Sequence, residues 1–149
     1  MRHALAVAAL ALAMIASADD APPDVRDSLD RVKAQATLTL ATIGRKTGKE
    51  HLKPIWFVVD DGHLVVQAGR NGKTDWYLNL LKTPTATAHI ADQTFRVRAV
   101  PVRDKARVEA IHRLFLKKYT SAWLLSFVGS SIGRGLPVEL VPESVTARR

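Results

Sequence analysis

Cysteine is absent from the 149 residues, which excludes disulfides, thiolate metal sites and a cysteine nucleophile. No apolar run reaches the ~20 residues that a membrane-spanning helix needs; the longest, 4–15, stops short of it. Acid is scarce. Fourteen Asp and Glu face 22 Lys and Arg, giving a net charge of +8 and a pI near 10.2. Such a balance favours anionic partners: a phosphorylated cofactor, a membrane surface or nucleic acid. His-Glu-x-x-His, Gly-x4-Gly-Lys-[Ser/Thr] and Gly-x-Gly-x-x-Gly are all missing, so the common metalloprotease, P-loop and dinucleotide signatures do not apply. His3, His51, His63, His89 and His112 are scattered over different segments and form no metal-ligand spacing. There is no internal repeat and no low-complexity tract, and no acid–base or nucleophilic set announces itself.

What remains is the composition of one folded domain, with 47% hydrophobic and 24% charged residues. The first eighteen residues pair Arg2 with the apolar run 4–15 and close on Ala16-Ser17-Ala18 before Asp19-Asp20. This is the pattern of a secretory signal peptide, so residues 1–18 are expected to direct export. A membrane anchor or a cytoplasmic protein with a misassigned start are the alternatives. Residues 19–35 read as a spacer and a short helix carrying Val25, Leu29 and Val32. Alternation at period two marks strands at 36–42, 55–59, 64–67, 85–90, 94–102 and 136–141. Asp60-Asp61-Gly62-His63 supplies a hairpin turn. Helices are expected at 76–81, capped by Asp75, and from Asp104 to about 118, with Val108, Ile111, Leu114 and Phe115 as its apolar stripe. An apolar patch at 121–130, holding Trp123, reads as a short helix or lid, and 143–149 as a tail. Strands following one another through hairpins, without crossover helices, predict a mainly β fold with flanking helices: a small antiparallel split β-barrel of about six strands over 36–142.

One stretch stands out. Between the first two strands lie Gly44, Arg45, Lys46, Gly48, Lys49 and Lys53, and glycines with successive loop N–H groups beside Arg and Lys suit an anion. A plain solvated basic hairpin reads equally well from these residues. A second basic loop, Ala68-Gly69-Arg70-Asn71-Gly72-Lys73-Thr74, follows the third strand. Trp56 and Trp76 flank the two loops, where they could hold a flat ring or simply pack in the core. With no catalytic set of its own, the chain suits chemistry that a cofactor carries.

Thr42-Ile-Gly-Arg-Lys-Thr-Gly-Lys, the Pro54-Ile-Trp-Phe strand, the Asp-Gly turn and Asp75-Trp-Tyr-Leu-Asn79 with Pro84 downstream resemble the deazaflavin-dependent nitroreductase/quinone reductase family. The resemblance implies a split barrel related to the FMN-binding pyridoxamine-oxidase-like proteins. It also implies hydride transfer from reduced deazaflavin coenzyme F-420 to a quinone, nitroaromatic or similar conjugated small-molecule acceptor. By position, Arg45, Lys46, Thr47 and Gly48 would hold the phosphate and acidic tail, with His51 and Lys53 lining the same groove. Pro54 and Trp56 would lie beside the ring, Ala68, Gly69 and Arg70 in the loop around it, and Trp76 and Asn79 on a buttressing helix. Tyr119 and Trp123 would line the acceptor pocket. His51 stands where arginine is more usual, the second loop is short, and Tyr119 alone represents a tyrosine cluster, which leaves the acceptor open. FMN or haem in the same barrel, or an exported basic binding module without catalysis, are the other readings. Related barrels often dimerise, and the positive charge suits association with a membrane periphery. Nucleic acid is disfavoured, because the cations gather in two loops instead of along a groove with spaced aromatics.

Overall fold

The computed structural model describes residues 23–119 and 134–148. The signal segment 1–18 and the lid at 121–130, with Trp123, lie outside them. Helix α1 (Pro23–Val32) leads into β1 (Thr37–Ile43), β2 (Glu50–Asp60) and β3 (His63–Ala68). A 3-10 turn (Arg70–Gly72) and α2 (Asp75–Lys82) precede β4 (Thr85–Ile90) and β5 (Gln93–Pro101), and α3 (Lys105–Lys118) separates these from β6 (Leu136–Ala147). All strand pairs are antiparallel, and the order β1-β2-β3-β6-β5-β4 closes into a barrel of six strands. The expected fold is observed.

Alternation explains the interior. Leu38, Leu40, Phe57, Leu64, Val66, Ala88, Ile90, Phe95, Val97, Val138 and Leu140 point inward and are buried, while Thr39, Thr87, Arg96 and Arg98 on the same strands are not. Val25, Leu29 and Val32 of α1 join this core where β1 begins, and Trp76 and Leu80 of α2 join it where β1 ends. The two helices therefore close the barrel. A third helix packs outside: Ile111, Phe115 and Tyr119 cover Val58 and Val65, with Trp56 partly buried among them. Arg107 fastens α3 to the strands, donating to Asp60 Oδ2 at 2.6 Å and to Glu139 Oε1 at 2.7 Å. Burial works against its charge, and the two carboxylates more than restore it.

The hairpin turn falls on Asp61 (φ 51) and Gly62 (φ 72), the left-handed pair of a two-residue type I′ turn. Asp104 caps α3, accepting from the Arg107 N–H at 2.9 Å. Asp75 does not cap α2. Thr74 holds that position without a side-chain cap bond, and Asp75 is the first helical residue, turned toward Arg45. Two strands are longer than their patterns suggest. β2 starts at Glu50, because it stays paired with β1 as far as Ile43↔Glu50; its residues 50–54 are all exposed and so carry no alternation. β6 continues past Val141 to Ala147, paired with Gln93. A register shift between Arg96 and Val97 accommodates Pro142 and Glu143, the place where a strand tolerates a residue that cannot donate.

Candidate functional site

The rim of the barrel at the β1–β2 end carries a groove of about 680 Å³. Its walls are the β1–β2 loop, the start of β2, the 3-10 turn and the first turns of α2. Of the expected residues, Arg45, Lys46, Thr47, His51, Lys53, Arg70, Trp76 and Asn79 line it. Residues separated by some thirty positions in sequence are thus brought to one cleft.

Asn79 does the joining. It is 3% exposed on the inner face of α2, and its Oδ1 accepts from the Arg45 N–H and from Arg45 Nη1, both at 3.1 Å. Its Nδ2 donates to Thr42 Oγ1 at 3.2 Å. Arg45 Nη1 also pairs with Asp75 Oδ1 at 3.0 Å, and Lys82 Nζ donates to the Arg45 carbonyl at 2.9 Å. The loop is therefore latched to α2 by buried or partly buried bonds at Asn79 and by exposed ones at Asp75 and Lys82.

The loop's own hydrogen bonds correct one expectation. Gly44 N–H donates to the Lys49 carbonyl, Gly48 N–H to the Gly44 carbonyl, Lys49 N–H to Thr47 Oγ1 and Arg45 N–H to Asn79. Four donors that could have cradled an anion are already used within the loop and by Asn79, which leaves the loop's positive side chains to face the groove. Gly44 is required there by space: a Cβ would sit 2.5 Å from Thr47 Oγ1 and 2.6 Å from His51 Nε2. Those two side chains meet each other at 3.2 Å. Gly48 adopts φ 68 and is exposed at the turn.

Lys46, Lys53 and Arg70 project into the groove with no carboxylate partner among the described residues. Thr74, between the second loop and α2, also lines it, and its Oγ1 is buried without a hydrogen-bond partner. A buried, unsatisfied hydroxyl beside unpaired cations fits an oxygen-rich anion. Arg70 and Asn71 both hold left-handed backbone angles (φ 52 and 54), a strain of the kind found at ligand clamps. Thr74, Thr42, Gly44 and Leu52 were not among the expected site residues. The lone Thr between a basic glycine loop and a helix start was the available signal for Thr74.

Other expected residues lie elsewhere. Trp76 lines the groove but is 8% exposed and belongs to the core, edge-on to Tyr77 at 6.2 Å. It seals the barrel as well as walling the cleft. Pro54 and Gly69 are exposed beyond the groove lining, and Ala68 is buried in the core. Trp56 faces the outside of the barrel, stacked on Tyr119 at 4.9 Å and 13°. Tyr119 is 4% exposed. Its hydroxyl accepts from the Phe57 N–H at 3.0 Å and lies 2.7 and 2.8 Å from the Phe57 and Ala36 carbonyls. Burial pushes the phenol up to about 12. Neither aromatic lines the groove, because α3 covers the outer face of β2, and Tyr119 ends that helix as a tie between strand and linker. Beside it, burial pushes the Lys118 ammonium down to about 8. Its bond to the Phe57 carbonyl at 2.8 Å and the Phe57 ring face at 3.9 Å act in the opposite sense.

Residues 26–139 match the family described as F420H(2)-dependent quinone reductase. The chain belongs to that family. Among solved structures it is similar to an F420-H2 dependent reductase (FDR-A), with TM-score 0.53 and 23% identity over 72% of this chain and 94% of that one. It is also similar to a putative pyridoxamine 5'-phosphate oxidase from Listeria innocua, with TM-score 0.63 and 15% identity over 83% and 96%. A third is the FAD binding protein from Mycobacterium smegmatis, with TM-score 0.52 and 19% identity over 83% and 92%. These likenesses establish the shared split-barrel fold, and the family places the chain among oxidoreductases.

Proposed function

We propose that this protein is a deazaflavin-dependent reductase that passes a hydride from reduced coenzyme F-420 to a quinone, a nitroaromatic or a similar conjugated acceptor. The observation that carries the reading is the groove, lined by Lys46, Lys53 and Arg70, which have no carboxylate partner among the described residues, and by the orphan Thr74 hydroxyl. Cations on side chains and a free hydroxyl suit the phosphate and acidic tail of that cofactor. When bound, the deazaflavin supplies the hydride; the chain's residues bind, orient and shield. Lys46, Lys53 and Arg70 would neutralise the tail, and Thr74 Oγ1 would take up one of its oxygens. Asn79 and Asp75 hold Arg45 at the rim. Trp76, fixed by the core, gives the cleft a rigid apolar wall.

Fluorescence titration of the purified protein with F-420, FMN and haem in parallel tests this. Saturable binding of F-420, weakened roughly ten- to a hundredfold by Lys46→Ala and by Arg70→Ala, is the expected result, since a charge-assisted bond contributes about 1.5–3 kcal/mol. Binding of FMN or haem alone would move the protein to the flavin- or haem-binding reading of the same barrel. F-420 affinity within twofold of wild type in both variants would show the groove to be a solvated surface.

A further inference from the structure

Five large apolar side chains are exposed among the described residues, and four of them gather at one end of the barrel. Ile43 (37%) ends β1, Leu52 (61%) stands near the start of β2, Leu136 (43%) opens β6, and Leu81 (48%) is on the solvent side of α2. The pairings Ile43↔Glu50 and Ala68↔Leu136, with β2 and β3 joined by their hairpin, place these strand ends on one rim of the barrel. Lys82 of α2 reaches the Arg45 carbonyl of the adjoining loop. Scattered exposed leucines are ordinary on a protein surface; four of five on one rim are not. Segments 44–53 and 70–82 of this rim hold seven Lys and Arg against Glu50 and Asp75, and Asp75 is already paired with Arg45.

We propose that this end of the barrel docks on an anionic lipid bilayer, with the leucines entering the acyl boundary and the lysines meeting phosphate headgroups. Apolar side chains ringed by Lys and Arg are the arrangement that binds such an interface. Nucleic acid would use the cations and leave the leucines in water, and among the described residues no exposed aromatic is present at this end for base stacking. A second copy of this end would meet seven cations with seven cations. The docking does not depend on the cofactor reading. Joined to it, it turns the groove toward lipid and makes a lipid-soluble acceptor accessible.

The test is co-sedimentation of the full chain with vesicles of phosphatidylcholine alone and of phosphatidylcholine mixed with phosphatidylglycerol. Binding only to the mixed vesicles, weakening with salt, is expected. Lys49→Gln with Lys73→Gln, neither lining the groove, should weaken it by about 25-fold, roughly fivefold for each charge. Leu81→Ser with Leu136→Ser should cost about tenfold, while melting temperature and F-420 titration stay at wild type. Equal binding to both vesicle types would overturn the proposal. So would binding unchanged in both double variants, which would assign attachment to another segment such as 4–15. Binding to duplex DNA with none to vesicles would place a nucleic acid there instead. Loss of F-420 binding in the wild-type protein, with vesicle binding intact, would defeat the cofactor reading alone.

Discussion

The hydroxyl of Tyr119 meets three backbone groups on β2 and the α1–β1 linker, and a residue first taken for a pocket lining is a tie within the fold. Tyr119→Phe should leave the Phe57 N–H without that acceptor and cost about 1–3 kcal/mol in denaturant unfolding. The phenol adds a pH signature. Its folded value is raised to about 12 from an ordinary value near 10. The stability it contributes is therefore complete below about pH 10 and lost as pH rises toward 12. The difference between wild type and Tyr119→Phe should shrink across that window. A constant difference would mean the phenol does not titrate with folding. None of this was legible from sequence, where a tyrosine at a helix end looks the same whether it faces a ligand or a strand. Gly44 was legible in part: a glycine between strand and cations was recognisable, whereas the crowding by Thr47 and His51 needed coordinates.

At the scale of elements, the β1–β2 loop and α2 behave as one latched unit. Asn79 bonds to Arg45 twice and to Thr42 once, so the rigidity of the helix is transmitted to the charged loop. Arg45→Ala and Asn79→Ala should each lower stability and anion affinity, and their combination should fall short of the sum by about 0.5–3 kcal/mol. A double-mutant cycle on melting and on F-420 titration reads this directly; strict additivity would show the latch to be two independent contacts. The helices themselves were visible in the sequence through caps and periodicity, Asp104 most clearly. Asp75 was misread as a cap because an acid before a helical run has two uses. The nearby Arg45, thirty residues away in sequence, decided for the ion pair.

For the whole molecule, closure of the barrel depends on β6, which pairs with β3 at its start and with β5 along nearly its full length. Residues 143–149 read as a tail, yet 144–147 pair with Gln93–Arg96 of β5. A chain ending at Pro142 should leave that part of β5 as an open edge, with lower melting temperature and a tendency to aggregate, measurable by scattering during a thermal ramp. An unchanged melt and a monomeric elution profile would make the last residues dispensable. Taken alone, the sequence determined what period-two alternation and turn chemistry can determine: strand identity, the Asp-Gly hairpin, the inward set of residues, and hence an antiparallel barrel with basic loops. These are local properties, written in neighbours along the chain. The tertiary structure decided what covers each outward face. It put α3 over Trp56, made Tyr119 a tie to β2, spent the loop's N–H groups on the turn, and brought Thr74 into one groove with Lys46 and Lys53. Alternation separates one face of a strand from the other, but only packing says whether the outer face meets water, a helix or a ligand.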